Sequence, residues 1–323
     1  MNIPKISVVI PLYNKQSHII DCINSVLAQS FPASEIIIVN DGSTDKGMEA
    51  IYDEDFNTNT EIRLLSQSNQ GVSVARNNGV AAARHNYIAF LDADDIWLPF
   101  FLEEMVNLLK RFPNTGFYTS KYQCVTTDEQ YYDANIDMEL IEVNNFDPNG
   151  MLIDNYFEIA AQGDLPFMIS SSMIYKPLFE ELQGFPVGEA IGEDQDLFAK
   201  VALQGPIAYS PNINILYSID AENKATQNNV PRQECGFSKR LNKSKVADKG
   251  FRAKGALKYC AAHLCHLAKL NIRIGRADEA KQLLTDPRCK LKPKHRMFLF
   301  VWASTVQVIS RLKQLLFPRQ PAS

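Results

Sequence analysis

The sequence lacks any apolar run long enough to cross a bilayer. In its apolar C-terminal stretch the longest uncharged piece, Met297–Ser310, has the length of a buried or interfacial helix. It also lacks a Cys-x-x-Cys pair. The six cysteines (22, 124, 235, 260, 265 and 289) are scattered without matching histidine spacing, which argues against a zinc site and for free thiols in a reducing compartment. Met1-Asn2-Ile3-Pro4-Lys5 runs into an apolar stretch without a small-residue cleavage site, so no secretory leader is expected. Basic charge is scarce at first and then abundant. Residues 1–231 hold 12 Lys and Arg against 32 Asp and Glu, whereas 232–323 hold 21 against 5. The overall charge of −4 thus hides two regions of about −20 and +16, an asymmetry that points to an anionic partner. The basic region lacks interleaved stacking aromatics and any nucleic-acid recognition motif, so no nucleic-acid partner is expected.

What is present is a chain of 323 residues, 46% hydrophobic, enough for a full core and for one large domain or two ordinary ones. Short β-branched runs at Ile6–Ile10, Glu35–Val39, Ile62–Leu65 and Tyr87–Leu91 alternate with helical spacing over Ser17–Ala28, Lys46–Asp53, Val72–Ala83 and Phe100–Arg111. That alternation predicts an α/β fold with a Rossmann-like, mostly parallel sheet flanked by helices. Residues 120–165 are acidic and weakly periodic, after which Phe167–Tyr175 reads as a strand and Glu193–Leu203 as an acid-led helix. From about Glu222 the composition turns polar and rich in Asn and Lys. Helices then follow at Gly255–Leu270, at Arg276–Leu284 (which is similar to half of a helix-hairpin repeat) and in the terminal apolar stretch.

In such sheets ligands collect beyond the carboxyl ends of the strands. A polar cluster follows each of the first four: Pro11-Leu12-Tyr13-Asn14, Asn40 to Asp45, Asn69-Gln70-Gly71, and Asp92-Ala93-Asp94-Asp95. Three neighbouring carboxylates repel each other without a counterion. A hard divalent cation holding phosphate oxygens would supply one; a solvated turn with Asp95 capping the next helix is the bland alternative. Asp41 fits an ordinary Asp-Gly-Ser turn, and equally an acceptor for a base N–H with Tyr13 stacked on the ring. Gly71 opens a helix whose N-terminus, with Arg76 a turn later, suits a diphosphate, although an arginine there also fits a solvated face. Gly192-Glu193-Asp194-Gln195-Asp196 supplies either capping acids or a carboxylate able to deprotonate an acceptor hydroxyl.

Taken in order and spacing, Val8–Asn14, Val39–Asp45, Gly71–Asn77, Ala89–Asp95 and Gly192–Asp196 closely resemble family 2 of the glycosyltransferases, over roughly residues 5 to 220. The resemblance implies a GT-A fold over 1–222, with a nucleotide-sugar half (1–105) and an acceptor half (106–222), followed by a basic linker and helical C-terminal region (223–323). It implies that Pro11, Tyr13 and Asn14 line the nucleotide pocket, that Asp41 reads the base and that Arg76 lies near the nucleotide. It further implies that Asp92 contacts ribose or metal, that Asp94 ligates Mg²⁺ or Mn²⁺, and that Asp194 is the base of an inverting single displacement. Asn40 stands where the family often has a second Asp beside Asp41. The Gln-x-x-Arg-Trp element of processive synthases is missing, since Trp97 and Trp302 lack that context; with the lack of spanning helices, this favours one sugar per acceptor. No histidine lies between Asp194 and His263 to serve as a further metal ligand.

The expected function is single-sugar transfer from a nucleotide-diphosphate sugar to a glycan or lipid-linked acceptor, in cell-surface polysaccharide or glycoconjugate synthesis. The expected location is cytoplasmic, at the inner face of the membrane if residues 290–317 make a peripheral contact. Lys292-Pro293-Lys294-His295-Arg296 before an apolar helix suits an anionic membrane; packing on the catalytic domain is the alternative. A catalytically inactive nucleotide-sugar binder is a second reading. A sugar nucleotidyltransferase is a third, against which stands the absence of glycine from Pro11–Lys15, where a triphosphate cradle would be needed.

Overall fold

The structure is a computed structural model that describes residues 3–143, 145–189, 191–222, 230–245 and 251–316. The chain divides into two compact units, Met1–Lys224 and Ala225–Ser323.

Among the described residues the first unit is built on ten strands: β1 (Ile6–Leu12), β2 (Glu35–Asp41), β3 (Glu61–Gln67), β4 (Tyr87–Phe90), β5 (Ile96–Trp97), β6 (Phe117–Val125), β7 (Tyr131–Asp133), β8 (Met151–Ile153), β9 (Ser172–Tyr175) and β10 (Ile207–Ser218). Eight run in the order β3-β2-β1-β4-β9-β6-β10-β5, while β7 pairs with β6 and β8 with β10. The four strands expected from the N-terminal pattern form the parallel block β3-β2-β1-β4. β1 lies inside it and is buried at all seven positions, as a strand covered on both faces must be. Beyond β4 the sheet is mixed. β9 pairs antiparallel with β4 and β6, and β6 runs parallel to β10.

Eight helices accompany these strands in the described residues: α1 (Ile19–Leu27), α2 (Gly47–Asp53), α3 (Val72–Ala82), α4 (Phe101–Arg111), α5 (Met138–Glu142), α6 (Tyr156–Ala160), α7 (Lys176–Glu181) and α8 (Glu193–Gln204). α3 packs on β1 and β2, and α4 on β6 and β10. α3 approaches β1 closely enough that a Cβ on Gly79 would lie 2.4 Å from Val9 Cγ1.

The expected strand over Phe167–Tyr175 is corrected. Only Ser172–Tyr175 is a strand, and Ile169–Ser171 forms a 3₁₀ turn closed by the hydrogen bond from the Ser171 N–H to the Met168 carbonyl, at 3.1 Å. The hydroxyls of Ser171 and Ser172 both donate to the Met168 carbonyl, at 2.9 and 2.8 Å, and such local bonding competes with a strand ladder.

The second unit contains α9 (Gly236–Lys245), α10 (Phe251–Arg273), α11 (Ala277–Leu284) and α12 (Pro293–Leu316). Gly275, at φ 80°, turns α10 into α11. Arg288 grips Glu234 with two bonds of 2.7 and 2.8 Å and also bonds Asp286, tying the start of α9 to the turn before α12. Part of the expected basic linker, 223–229, lies outside the described residues.

Candidate active site

The loops after β1, β2 and β3 lock together through two side chains. Asn14, at φ 51°, accepts the Thr44 N–H at 2.7 Å through Oδ1 and donates its own N–H to Ser43 Oγ at 3.1 Å. Asp41, only 3% exposed, accepts Gln67 Nε2 and the N–H of Gln70 through one oxygen and the N–H of Gly71 through the other, each at 2.8 Å. Three of the roughly four acceptor positions of the carboxylate are therefore taken by the protein. Gly42 makes the approach possible: at φ 70°, a Cβ there would stand 2.8 Å from the Asn69 backbone nitrogen. Pro11 is buried at the end of β1, while Tyr13 is 43% exposed and free to meet a ring.

Asp92, Asp94 and Asp95 follow β4, and each has a different partner. Arg76 donates to both oxygens of Asp92, at 2.6 and 2.9 Å. Lys15 donates to Asp94 Oδ2 at 2.7 Å and also to the Glu222 carbonyl. Asp95 is 1% exposed and accepts Ser170 Oγ at 2.6 Å and the Ser218 N–H at 3.1 Å. The counterions of this acidic turn are thus lysine and arginine within the protein. Capping by Asp95 is corrected as well: β5 follows it, α4 begins only at Phe101, and its carboxylate is an internal strut.

Arg76 also departs from a solvated face. It is 3% exposed, and beyond Asp92 it reaches Glu193 Oε1 at 3.1 Å, with its guanidinium 5.2 Å from the centroid of the Phe185 ring. Burial opposes its charge, but Asp92 and Glu193 outweigh that and raise its proton affinity further. One guanidinium therefore joins the end of β4 to the first turn of α8. Asp194 stands beside it, half-buried, accepting the Gln195 N–H at 2.7 Å. Burial foremost, and then the charge of Glu193, push this carboxyl up to about 7, with Arg76 pulling the other way. Asp196 is separately paired to Lys200 at 2.8 Å.

Asp92 and Asp94 suit a hard cation that takes one or two carboxylates and completes its shell with phosphate oxygens. Among the described residues no three His, Cys, Asp or Glu side chains converge into a larger cage. A cation at Asp94 Oδ2 would compete with Lys15 for that oxygen.

A profile of the family described as glycosyl transferase family 2 matches residues 7–171, just over half of the chain. The chain belongs to glycosyl transferase family 2. This family 2 chain is 44% identical over 106 residues to the uncharacterized glycosyltransferase YibD of Escherichia coli, which is 32% of the chain and 30% of YibD. It is 30% identical over 200 residues to the glycosyltransferase GlyA of Streptococcus pneumoniae, 62% of the chain and 28% of GlyA. The alignments span less than a third of either relative's length. In architecture the family 2 chain matches the GT-A structure of S. aureus TarS residues 1–349, solved in complex with UDP-GlcNAc. The TM-score is 0.62 at 15% identity, covering 95% of this chain and 92% of that one.

Four neighbours of the site escaped the sequence reading. Lys15 carried no signal beyond its place after β1. Glu193 was named only within the acidic Gly192–Asp196 cluster, not as a partner of Arg76. Tyr217, on β10, has its phenol pushed well above the usual tyrosine range by burial foremost and then by the charges of Asp95, Asp92, Asp94 and Asp194. Ser170 accepts the Asp92 N–H at 3.1 Å, donates to Asp95, and offers its carbonyl to Trp97 Nε1 at 2.7 Å. Replacing Ser170 with Ala would take one hydrogen-bond donor from the buried Asp95 carboxylate and one acceptor from the Asp92 N–H. Ser170→Ala is expected to lower unfolding free energy by about 1–3 kcal/mol in a denaturant titration, the cost of losing hydrogen bonds at a buried charged group. A change within a few tenths would show that Asp95 does not depend on that hydroxyl.

Proposed function

We propose that the chain is a glycosyltransferase that moves one sugar from a nucleotide-diphosphate sugar to a glycan or lipid-linked acceptor, with inversion, in cell-surface polysaccharide or glycoconjugate synthesis. The observation that carries the reading is the Arg76 bridge, which brings the carboxylates after β4 and the raised Asp194 to one end of the sheet. Tyr13 would stack on the base and the last acceptor position of Asp41 would read it. The N-terminus of α3 would face the diphosphate. The binding of UDP-GlcNAc by TarS, which shares this fold, supports a nucleotide-sugar donor.

In the reaction Asp194 takes the proton of the acceptor hydroxyl while its oxygen forms the new bond to the anomeric carbon. The bond from that carbon to the diphosphate breaks on the opposite face, and the electron pair leaves with the nucleoside diphosphate. Asp94, with Asp92, would hold Mg²⁺ or Mn²⁺, whose contribution is to stabilise charge on the departing diphosphate. A panel of nucleotide sugars assayed for released nucleoside diphosphate, with and without Mn²⁺, tests the reading. Turnover lost in Asp94→Asn supports it; metal-independent turnover untouched by that substitution rules it out.

We assign the chain to the cytoplasmic side of a membrane. The six cysteines are free, as a reducing compartment keeps them, and no helix among the described residues is long and apolar enough to span. α12 buries Leu299 and Ala303 but leaves Met297, Phe298, Val301, Val308, Ile309 and Leu312 between 47% and 67% exposed. From Asp286 onward the sequence contains eight Lys and Arg and no further acid. An apolar face within a purely basic segment fits an anionic lipid surface, each basic residue contributing about 1 kcal/mol there. The full chain should sediment with vesicles containing phosphatidylglycerol and not with pure phosphatidylcholine, and Phe298→Glu with Val301→Glu should weaken this at least roughly tenfold. Equal binding to both vesicle types, or no loss in the double variant, would reject the membrane contact. Residue 317, the last of the expected contact segment, lies outside the described residues.

A further inference from the structure

We propose that Lys15 is a resident counterion of Asp94 that keeps the metal position closed until a diphosphate arrives. The inference rests on the proposed metal position at Asp94.

The two cations of the acidic turn are held very differently. Arg76 is locked: 3% exposed, bidentate on Asp92, bonded to Glu193 and resting against Phe185, it cannot leave without stranding two acids. Lys15 touches Asp94 through a single nitrogen, and its other hydrogen bond among the described residues is to the Glu222 carbonyl. Its ammonium is a compact point charge on a flexible four-carbon stem, able to change partners without rebuilding the loop. At 2.7 Å from Asp94 Oδ2, it fills the space that a metal bound to that oxygen would need. Ammonium and divalent cation repel each other, so one must yield.

A metal arriving alone has to evict Lys15 from a carboxylate while offering it no other anion. A metal arriving with a diphosphate brings that anion with it. Lys15 lies two residues after Tyr13, on the loop proposed to line the nucleotide pocket, and can pass from Asp94 to the diphosphate oxygens. Metal and diphosphate then bind cooperatively, each improving the affinity of the other by the same factor. The Glu222 carbonyl would lose its ammonium in the same movement, linking donor entry to the end of the first unit.

Mn²⁺ binding followed by electron paramagnetic resonance on the full chain tests this without reference to turnover. Inorganic pyrophosphate serves as the diphosphate, so the unknown base does not matter. The wild-type chain should bind Mn²⁺ weakly alone and roughly tenfold more tightly with pyrophosphate, within the usual range of coupling between sites. Lys15→Met should bind Mn²⁺ alone roughly tenfold more tightly than wild type, with most of the pyrophosphate enhancement gone, while Lys15→Arg keeps the wild-type pattern. Thermal melting of each variant shows that it is folded. If Lys15→Met binds Mn²⁺ no better than wild type while Asp94→Asn abolishes binding, the gating role is wrong and the metal position stands. If Asp94→Asn leaves Mn²⁺ binding unchanged, or no chain binds Mn²⁺ even with pyrophosphate, the metal position itself is wrong and the inference fails with it.

Discussion

Asp194→Asn should reduce sugar transfer by about 10³-fold while leaving donor affinity within a factor of about two, because a positioned general base contributes on the order of 10²–10⁴. The asparagine keeps the shape of the side chain and can still accept the Gln195 N–H, but it cannot take a proton from the acceptor. The pH dependence provides a second readout. Burial and Glu193 push the Asp194 carboxyl up to about 7, and the base works only when ionised. kcat/KM, which reports the free enzyme, should therefore fall below pH 7 with unit slope, while the corresponding limb of kcat moves to lower pH once a cation and its donor are bound nearby. Stability should move the other way. A carboxyl that holds its proton more tightly when folded than when unfolded contributes least above its folded pKa, so stability is lost as pH rises from the ordinary aspartate range through about 7. Asp194→Asn should accordingly melt at a higher temperature than wild type at pH 8 and nearly with it at pH 4. A variant that turns over normally, or melts lower than wild type at pH 8, would remove Asp194 from the role given to it.

Arg76→Met should be the most destabilising single change at the site, on the order of 3 kcal/mol, the lower end of the cost of breaking a buried ion pair. The loss is larger than a surface pair would show because the arginine is 3% exposed and serves two acids, of which Asp92 keeps 26% exposure and Glu193 13%. Lysine should not rescue it. One ammonium cannot bind both oxygens of Asp92 and reach Glu193 as a planar guanidinium does. Removal of Arg76 also removes the cation that holds the Asp194 carboxyl down, so the acid limb of kcat/KM in surviving enzyme should shift upward from pH 7. A full rescue by Arg76→Lys, in both melting temperature and pH profile, would show that the bidentate geometry is unnecessary.

How far the molecule was legible in its sequence differs between its halves. β1 and β2 announce themselves because a parallel strand buried on both faces is apolar at nearly every position, and α3 and α8 begin at Gly71 and Gly192 in the left-handed region. β10 does not, since Pro211, Asn212 and Asn214 interrupt its apolar run and its pairing with β6 shifts register twice, after Ser210 and after Ile213. Beyond those irregularities the Ser218 N–H reaches Asp95 after β4, and such a contact between residues far apart leaves no local trace. The site shows the same division. Asp41, Asp92, Asp94 and Asp194 stood out as acids in telling places, but their partners did not, because an ion pair between distant residues has no spacing to read. The solvated face offered as the alternative for Arg76 fails for that reason: only the structure shows the two carboxylates that make its burial tolerable.

The triple engagement of Asp41 restricts how this donor site could change its preferences. The same carboxylate that would read the base also fixes Gln67 and the two amides, of Gln70 and Gly71, that lead into the helix that would meet the phosphates. A mutation at position 41 thus retunes both ends of the donor at once, and a lineage or an engineer seeking a different nucleotide would meet less resistance at the exposed Tyr13, whose aromatic face belongs to no other part of this arrangement.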